Sequence, residues 1–415
     1  MALDVQFVRD QFPSLDSEAV FLDNPGGSQI ARPSLDRMRA YLVDTNANRG
    51  GAFSTSQATD AILRQSRQAA ADFLNAEKAE EIVFGPNMTT LAFTLSRALA
   101  DRFSPSDEII VTRLDHDANI APWVQLAERK GCPVHWIDFD RVRGRLDMTA
   151  LERAVNQNTK LIAVGYASNA LGTINPVEEI TQIAHQHDAL CFVDAVQLAP
   201  HQPVDVRQLD CDFLALSAYK LFGPHIGLLY GKHELLSELP AAKVRPASDK
   251  APHKFETGTQ NHEGIAGLLG TMEYLAELSR FGGQFHNKLS EFFEGRILEL
   301  KTAMRVINEY ELSLTEYLLE QLTSIDELSI FGPATTEDRV PTVSFRLEGV
   351  SPRRVAELLA DLGIYVWDGN FYALAVTEHL GLEESGGLVR VGLVHYNTQR
   401  EVDQLVNGLR TIVAG

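Results

Sequence analysis

The sequence predicts an α/β protein in which a mainly parallel β-sheet, covered by helices, is followed by a smaller α+β domain at the C-terminal end. Three observations predict this fold. In the middle of the chain, nearly continuous apolar runs alternate with segments of helical spacing, a pattern typical of a parallel sheet covered on both faces. Past residue 260 the pattern changes to long helical stretches with a few strands. The 415 residues are also too many for one hydrophobic core, so we expect two domains.

Six short apolar runs in the first part of the chain are predicted strands. The stretches 90–102, 121–131 and 177–188 lie between them and have helical spacing. Only LFGPHI separates the last two strands, which is too short for a crossover helix, so this pair is predicted to be antiparallel. The strands are EEIVFG (80–85), DEIIVTRL (107–114), KLIAVGYA (160–167), ALCFVDAV (189–196), DFLALSA (212–218) and GLLYGK (227–232).

The C-terminal part predicts the smaller α+β domain. The stretch 245–262 is predicted to be a loop, and a long helical region follows from about 263 to 325. The remaining elements are TVSFRLEG (342–349), a helix near 352–362, GIYVWDG (363–369), LVRVGLV (388–394) and a last helix near 398–413.

The composition is acidic and otherwise ordinary for a globular protein. The 37 basic and 56 acidic residues give a net charge of −19, which argues against nucleic acid or an anionic membrane surface as the main partner. The start MALDVQFVRDQF resembles no signal peptide, and no apolar run approaches the roughly 20 residues that span a bilayer. The three scattered cysteines, Cys132, Cys191 and Cys211, indicate neither a disulfide framework nor a zinc site. We expect a cytoplasmic protein with buried, reduced thiols and no metal.

Polar residues follow the carboxyl ends of the predicted strands. Ligands bind beyond this edge in open parallel sheets, so we expect these residues to surround a ligand. The turn GPNMTT after strand 80–85 begins a helix, whose N–H groups and threonine hydroxyls would suit a phosphate. Taken singly, each residue could equally be a cap, a turn residue or a satisfied core side chain. The other strand ends bring His116, Asn119, Asn169, Asp194, Gln197, Ser217 and Lys220.

Lys220 lies in the apolar run LSAYKLFGPHIG, although lysine is almost never buried without a partner. A lysine, a carboxylate, a flat imidazole and a phosphate cup at one sheet edge suit pyridoxal 5'-phosphate. Lys220 would hold this cofactor as a Schiff base, and Asp194 would keep its pyridine nitrogen protonated, which makes the ring an electron sink for a carbanion. His116 could stack on the ring, and Gln197 could hydrogen-bond the ring oxygen.

The segments DAVQ and SAYKLFGP, with Lys220 placed 220 − 194 = 26 residues after Asp194, resemble the class V aminotransferase superfamily of fold-type I pyridoxal-phosphate enzymes. The similarity is greatest to cysteine desulfurases and cysteine-desulfurase-like proteins, and it covers nearly the whole chain. The other similar segments are FLDNPGG (21–27), NRGGAFSTSQAT (48–59), FGPNMTT (84–90), LDHDANIAPW (114–123), SNALGTINP (168–176), ETGTQN (256–261) and VRVGLVHYNT (389–398).

The resemblance implies a domain organisation and partners. It implies a seven-stranded, mainly parallel sheet sandwiched by helices, with a large cofactor-binding domain at 21–285 and a small domain at 286–415. The N-terminal segment 1–20 would pack with the small domain. A homodimer with the active site at the subunit interface and a small amino-acid substrate are implied as well.

The resemblance also assigns roles to residues. Lys220 would carry the Schiff base, Asp194 would pair with the pyridinium, and His116 would stack on the ring. Arg390, in VRVG, would hold the substrate α-carboxylate with its forked guanidinium, although a surface ion pair is the simpler alternative. Contacts to the ring oxygen or the substrate are expected from Gln197, Asn169 and Asn24, and contacts to the phosphate from Met88, Thr89, Thr90, Ser217, Tyr219 and, in a neighbouring subunit, Thr259.

The sequence departs from the family pattern in three places. Cysteine desulfurases use a nucleophilic cysteine on a small-domain loop, but the corresponding segment GIYVWDGNFYALAV (363–376) contains none. Tyr219 stands where the family has a phosphate-binding histidine, and Asn87 with Met88 replaces the more usual Arg-Gly. The aromatic residues of the loop could pack the small domain or face the site. Tyr372 is the candidate for the place of the missing cysteine, as a substrate contact or proton donor.

Three functions are compatible with these residues. The first is a lyase that removes the α-proton of a cysteine-like amino acid and eliminates the β-substituent, which needs no cysteine. The second uses the same carbanion for epimerisation, transamination or carbon–carbon bond formation. The third is a non-catalytic relative that binds the cofactor or a partner, and the intact Lys220, Asp194 and Arg390 argue against it. The sequence does not separate the first two.

Overall fold

The computed structural model describes residues 3–414, so residues 1, 2 and 415, including the start of the predicted segment 1–20, lie outside the described part. The strands are β1 Val20–Phe21, β2 Ile82–Gly85, β3 Glu108–Thr112, β4 Val134–Ile137, β5 Thr159–Gly165, β6 Leu190–Asp194, β7 Phe213–Ser217, β8 Gly227–Gly231, β9 Leu328–Phe331, β10 Thr342–Leu347, β11 Ile364–Tyr365, β12 Trp367–Gly369 and β13 Leu388–Gly392. The helices are α1 Val5–Arg9, α2 Arg32–Ala40, α3 Ser54–Leu74, α4 Met88–Leu99, α5 Ala121–Lys130, α6 Met148–Ala154, α7 Val177–Gln186, α8 Val206–Leu209, α9 His233–Glu238, α10 His262–Glu277, α11 Gly283–Leu289, α12 Gly295–Thr323, α13 Pro352–Asp361, α14 Leu374–Leu380 and α15 Gln399–Ala414.

Seven strands form the central sheet, in the order β2-β8-β7-β6-β5-β3-β4. Neighbouring strands pair in parallel except at β8, which runs antiparallel to β2 and β7. The predicted α/β class, the seven strands and the antiparallel last pair are therefore confirmed. β4 is absent from the six strands predicted from apolar runs, because only Ile137 of this edge strand is buried.

The helical region after residue 260 is broken rather than continuous. The stretch predicted to be helical from about 263 to 325 consists of α10, α11 and α12. Gly282 lies at the first break, where a Cβ atom would come within 2.5 Å of the Thr302 side chain on α12. A residue without a side chain is needed there because the turn and α12 approach each other so closely.

The C-terminal part contains a four-stranded antiparallel sheet in the order β12-β13-β10-β9. Its buried side chains form a second hydrophobic core, separate from the larger core around the central sheet. α12 belongs to both, since Ile307 packs in the larger core and Leu314 in the smaller one. The domain boundary at 285–286 therefore stays a prediction.

The N-terminal segment contacts both parts of the molecule. Val8 and Phe12 are buried in the larger core. Arg9 forms an ion pair of 2.9 Å with Glu401 of α15, and Val20 pairs with β11. The sequence predicts that residues 1–20 pack with the small domain. Residues 3–20 contact the small domain and also the larger core around the central sheet.

Three further observations concern residues 3–414. No helix among them is long and apolar enough to cross a membrane. No group of their His, Cys, Asp and Glu side chains is arranged to hold a metal ion. Cys132, Cys191 and Cys211 are buried and form no disulfide.

Candidate active site

A pocket opens at the carboxyl edge of the central sheet. Parallel strands deliver their following residues to the same edge, so segments far apart in sequence meet there. Nine of the residues predicted from the sequence line this pocket, namely Met88, Thr89, His116, Asn169, Asp194, Gln197, Ser217, Tyr219 and Lys220.

Lys220 and Asp194 lie at the ends of neighbouring strands. Asp194 ends β6, and Lys220 ends the short turn that follows β7, with only 8% and 9% of these residues exposed. Burial raises the pKa of the Asp194 carboxyl. Burial also lowers the pKa of the Lys220 amine, and the positive charge of Arg390 lowers it further. The amine is therefore biased toward its neutral form, in which it can act as a nucleophile or a base.

His116 presents a neutral ring to the pocket. Its Nδ1 accepts a hydrogen bond from the Ala118 N–H at 3.0 Å, which leaves the proton of the neutral ring on Nε2. Burial, with the charges of Lys220 and Arg390, lowers the pKa of His116 to about 3. The ring of Tyr372 stacks on it at 5.7 Å between centroids, with an interplanar angle of 23°. This imidazole is suited to stacking rather than to accepting protons at neutral pH.

The cup predicted to hold a phosphate forms where α4 begins. The Met88 N–H donates to Oγ of Ser217 at 3.0 Å, and Oδ1 of Asn87 caps the helix by accepting from the Thr90 N–H at 2.8 Å. Gly227 of β8 packs directly against this turn, since a Cβ atom there would lie 2.4 Å from the Asn87 carbonyl carbon. The helix N-terminus and the Ser217 hydroxyl are thus held side by side, as an anion site requires.

Arg390 is buried beside the pocket and contacts Asn169. Its Nη1 donates to the Asn169 backbone carbonyl at 3.2 Å, and its Nη2 donates to Oδ1 of Asp23 at 2.8 Å. The side chain of Asn169 donates to the Phe371 carbonyl at 2.8 Å. Two buried polar atoms, Nε of Arg390 and Oδ1 of Asn169, have no hydrogen-bond partner among the described residues. Buried polar atoms are normally paired, so these two indicate a place for a ligand.

Some predicted site residues are not brought into the pocket. The Asn24 carboxamide is used within the protein, because Nδ2 donates to the Gly392 carbonyl at 2.7 Å and Oδ1 accepts from the Tyr396 hydroxyl. Thr90 and Thr259 are exposed and lie outside the pocket lining, and the contact predicted for Thr259 in a neighbouring subunit stays a prediction. Tyr372 is 75% exposed and covers His116 from outside the lining.

Two residues that the sequence did not single out belong to the site. Asp23 pairs with Arg390, as described above. Asp115 is buried, and its Oδ1 accepts from the Gly165 N–H at 2.8 Å, next to the strand that ends in Asp194. Burial raises the pKa of Asp115 to about 7. The sequence signal for both is a carboxylate inside a motif, DN at 23–24 and DHD at 115–117, next to the predicted site residues Asn24 and His116.

The residues present fit pyridoxal phosphate. A lysine with a lowered pKa lines the pocket, a carboxyl lies at the adjacent strand end, and a flat neutral imidazole lines the same pocket. Asn169, whose Oδ1 has no partner among the described residues, lines the same pocket, and the Thr89 N–H at the start of α4 and the Ser217 hydroxyl are donors suited to a phosphate. Fold and site together define a pyridoxal-phosphate enzyme of the α/β type.

Residues 20–303 and 295–405 match the family model of class V aminotransferases, and the chain belongs to this family, whose cofactor is pyridoxal 5'-phosphate. It is 34% identical to the aminotransferase-like protein FGM3 of Gibberella zeae over 99% of both chains. It is 33% identical to a probable cysteine desulfurase of Streptomyces coelicolor over 99% of this chain and 97% of that one. The cysteine desulfurase of Thermococcus onnurineus superposes with a TM-score of 0.88 at 30% identity, covering 100% of this chain and 99% of that chain.

His116→Phe is expected to make stability less sensitive to acid. The folded pKa of His116, about 3, lies below the usual 6.5, so the unfolded chain binds more protons between these values. Stability conferred by the neutral ring is therefore present above about pH 6.5 and lost as pH falls toward 3. Urea unfolding at about pH 7.5 and about pH 4.5 should show the wild type losing about 1–2 kcal/mol more than the variant. Equal losses would contradict a buried neutral imidazole.

Proposed function

We propose that the protein is a carbon–sulfur lyase that acts on a cysteine-like amino acid by β-elimination, without a persulfide-forming cysteine. The observation that carries the proposal is the location of the thiols. Cys191 is buried in β6 with its Sγ accepting from the Thr181 hydroxyl, and burial raises the pKa of this thiol to about 12. Cys211 precedes β7 and is fully buried. Cys132 follows α5 in the chain, and its thiol donates to the Ser104 carbonyl at 3.1 Å. None of the three lines the pocket.

Three residues of the pocket lining and the neighbouring Arg390 have roles in this proposal. The bound pyridoxal phosphate supplies an electron sink for the pair left at the substrate α-carbon. Nζ of Lys220 takes the α-proton, for which its lowered pKa is favourable. The Asp194 carboxylate holds a proton on the pyridine nitrogen, and the His116 ring keeps water from one face. Arg390 binds the α-carboxylate through its guanidinium, and the substrate's own thiolate leaves from the β-carbon.

The products decide between elimination and sulfur transfer. From cysteine and water, β-elimination gives pyruvate, ammonia and hydrogen sulfide in equal amounts, whereas a desulfurase gives alanine and leaves the sulfur on the enzyme. We therefore expect pyruvate and sulfide to appear together, without added reductant. Alanine as the main product would overturn the proposal.

A cysteine-free variant is expected to keep this activity. Cys132→Ser combined with Cys191→Ala and Cys211→Ala removes every thiol of the chain, and all three side chains lie outside the pocket lining. We expect the same kcat for pyruvate formation as in the wild type, provided that thermal unfolding shows the variant folded. A variant that is folded but inactive would indicate that one of these thiols takes part in the reaction.

Transamination is the second candidate, because the chain is 34% identical to a protein named aminotransferase-like. Incubation of the holoenzyme with individual amino acids and a keto acid would then yield a new amino acid without sulfide. Loss of α-deuterium with racemisation would instead indicate an epimerase, and a carbon–carbon product a synthase. Cofactor binding without turnover of any amino acid would indicate the non-catalytic relative, and failure to bind the cofactor would contradict the whole scheme.

Assembly and location complete the proposal. We propose a homodimer in which Thr259, exposed in the loop before α10, reaches the phosphate of the neighbouring subunit. The acidic charge of −19 disfavours nucleic acid and anionic membranes as partners, and we propose a cytoplasmic location. Analytical ultracentrifugation of the wild type against Thr259→Ala, with and without cofactor, tests the dimer and the predicted contact.

A further inference from the structure

The guanidinium of Arg390 is already engaged by a carboxylate of its own chain. Nη2 donates to Oδ1 of Asp23 at 2.8 Å, and 21% of the Asp23 side chain stays exposed against 4% of that of Arg390. The ring of Phe371 covers the guanidinium at 4.5 Å. Nε has no partner among the described residues. When a substrate carboxylate approaches this guanidinium, Nη2 is therefore already hydrogen-bonded to the Asp23 carboxylate.

The position of the Asp23 carboxylate is built into the turn that carries it. A Cβ atom at Gly26 would lie 2.3 Å from Oδ2 of Asp23, so the carboxylate can fold back over this turn only because residue 26 has no side chain. Asn24 fixes the same turn to β13 through the hydrogen bond to the Gly392 carbonyl. The ion pair with Arg390 therefore depends on a specific local sequence, DNPG.

The charges of this pair also act on the reacting amine. Arg390 lowers the pKa of Lys220, and Asp23 raises it. Because Oδ1 of Asp23 lies 2.8 Å from Nη2 of Arg390, a substrate carboxylate bound to this guanidinium would lie near the negative charge of Asp23. Like charges at such distances repel each other strongly when the surroundings are largely buried.

We propose that Asp23 is a specificity-determining residue that competes with the substrate α-carboxylate for Nη2 of Arg390. This rests on the proposed function, because it takes Arg390 as the seat of that carboxylate. The substrate must displace Asp23 or bind beside it through the N–H groups that Asp23 and Asn169 leave unused, among them Nε–H, and the fixed anion disfavours a second carboxylate on the ligand. The substrate class is thus an amino acid with a single carboxylate rather than a dicarboxylic one.

The test compares two small reagents with the holoenzyme. Aminooxyacetate and methoxyamine each replace Lys220 at the cofactor's aldehyde carbon, forming one C=N bond and returning Nζ as a free amine, but only aminooxyacetate has a carboxylate. Each rate constant is measured from the loss of the cofactor's visible band. The rate constant for aminooxyacetate divided by that for methoxyamine then measures recognition of the carboxylate alone. Asp23→Asn removes the charge and keeps an oxygen acceptor for Nη2, and we expect the ratio to rise about tenfold.

Two other variants make the result specific. Gly26→Ala should displace the Asp23 carboxylate and raise the ratio in the same direction, and Asp16→Asn, an exposed carboxylate of the same N-terminal segment, should leave it unchanged. Without added cofactor, acetate should raise the unfolding temperature of Asp23→Asn more than that of the wild type, since a ligand stabilises the form that binds it.

An unchanged or lower ratio in Asp23→Asn would overturn the proposal and leave Asp23 as a support for Arg390. The failure of the proposed function has a different signature. In that case the ratio would be no lower in Arg390→Gln than in the wild type, or neither reagent would change the visible band of the protein.

Discussion

Lys220→Ala is expected to abolish the visible absorption band of the bound cofactor and to lower kcat by at least about 10³-fold. Lys220 is a buried amine in the lining of the pocket, and both the proposed covalent bond to the cofactor and the proposed proton transfer use its Nζ atom. No neighbouring group can replace it, because His116 holds its proton on Nε2 and Arg390 stays charged. The measurements are the spectrum, the mass after borohydride reduction, and the rate of sulfide release.

Two variants control this result. Lys220→Arg keeps the positive charge but cannot form the bond, so it should lose both band and activity. Lys288→Ala changes an exposed lysine of α11 and should change neither. A Lys220→Ala protein that retains the visible band, or that gains a borohydride-fixed cofactor at another lysine, would show that Lys220 does not carry the cofactor.

Asp194→Asn is expected to lower kcat by about 10²–10³-fold while the protein remains as stable as the wild type. The carboxylate is proposed to hold a proton on the pyridine nitrogen, and an amide of the same shape cannot stabilise that charge. Asn still accepts the hydrogen bond that the Val196 N–H donates to Oδ1 at 2.9 Å. Turnover with a saturating amino acid and the pH dependence of the cofactor band are the measurements.

Stability separates this role from a structural one. Burial raises the pKa of Asp194 in the folded protein above its value in the unfolded chain. The free energy of unfolding therefore falls as pH rises between these two pKa values. The cofactor-free Asp194→Asn variant should therefore unfold at a temperature no lower than that of the wild type at neutral pH. Asp194→Glu should recover part of the activity. A variant that is both inactive and much less stable would indicate a structural carboxylate instead.

The sequence predicted the pocket from a single physical rule. Ligand-binding residues follow the carboxyl ends of parallel strands, and this rule alone predicts that His116, Asn169, Asp194 and Lys220 lie together. Nine of the predicted residues indeed line one pocket. The edge strand β4 is not predicted from the sequence, because all of its side chains except that of Ile137 are half-buried or exposed and it contains no continuous apolar run.

Contacts between distant segments could not be predicted in this way. The sequence predicts Asn24 as a substrate contact, yet its carboxamide ties the N-terminal turn to β13, and the neighbouring Asp23 contacts Arg390 across 367 residues of sequence. The sequence predicts Tyr372 as a substrate contact, but its ring stacks on His116 and stays exposed. Both positions depend on how the small domain lies against the sheet edge, which no local pattern encodes.

The sequence by itself determined the class of fold and the family, and it predicted which residues would hold the cofactor. These features can be identified in short stretches of sequence, namely the apolar pattern of each strand, the lysine in an apolar run and the spacing between Asp194 and Lys220. Only the tertiary structure decided which charges act on one another. The pairing of Asp23 with Arg390, the neutral state of His116 and the remoteness of the three thiols follow from burial and from long-range packing, because electrostatic energies depend on distance and on the surroundings of each charge.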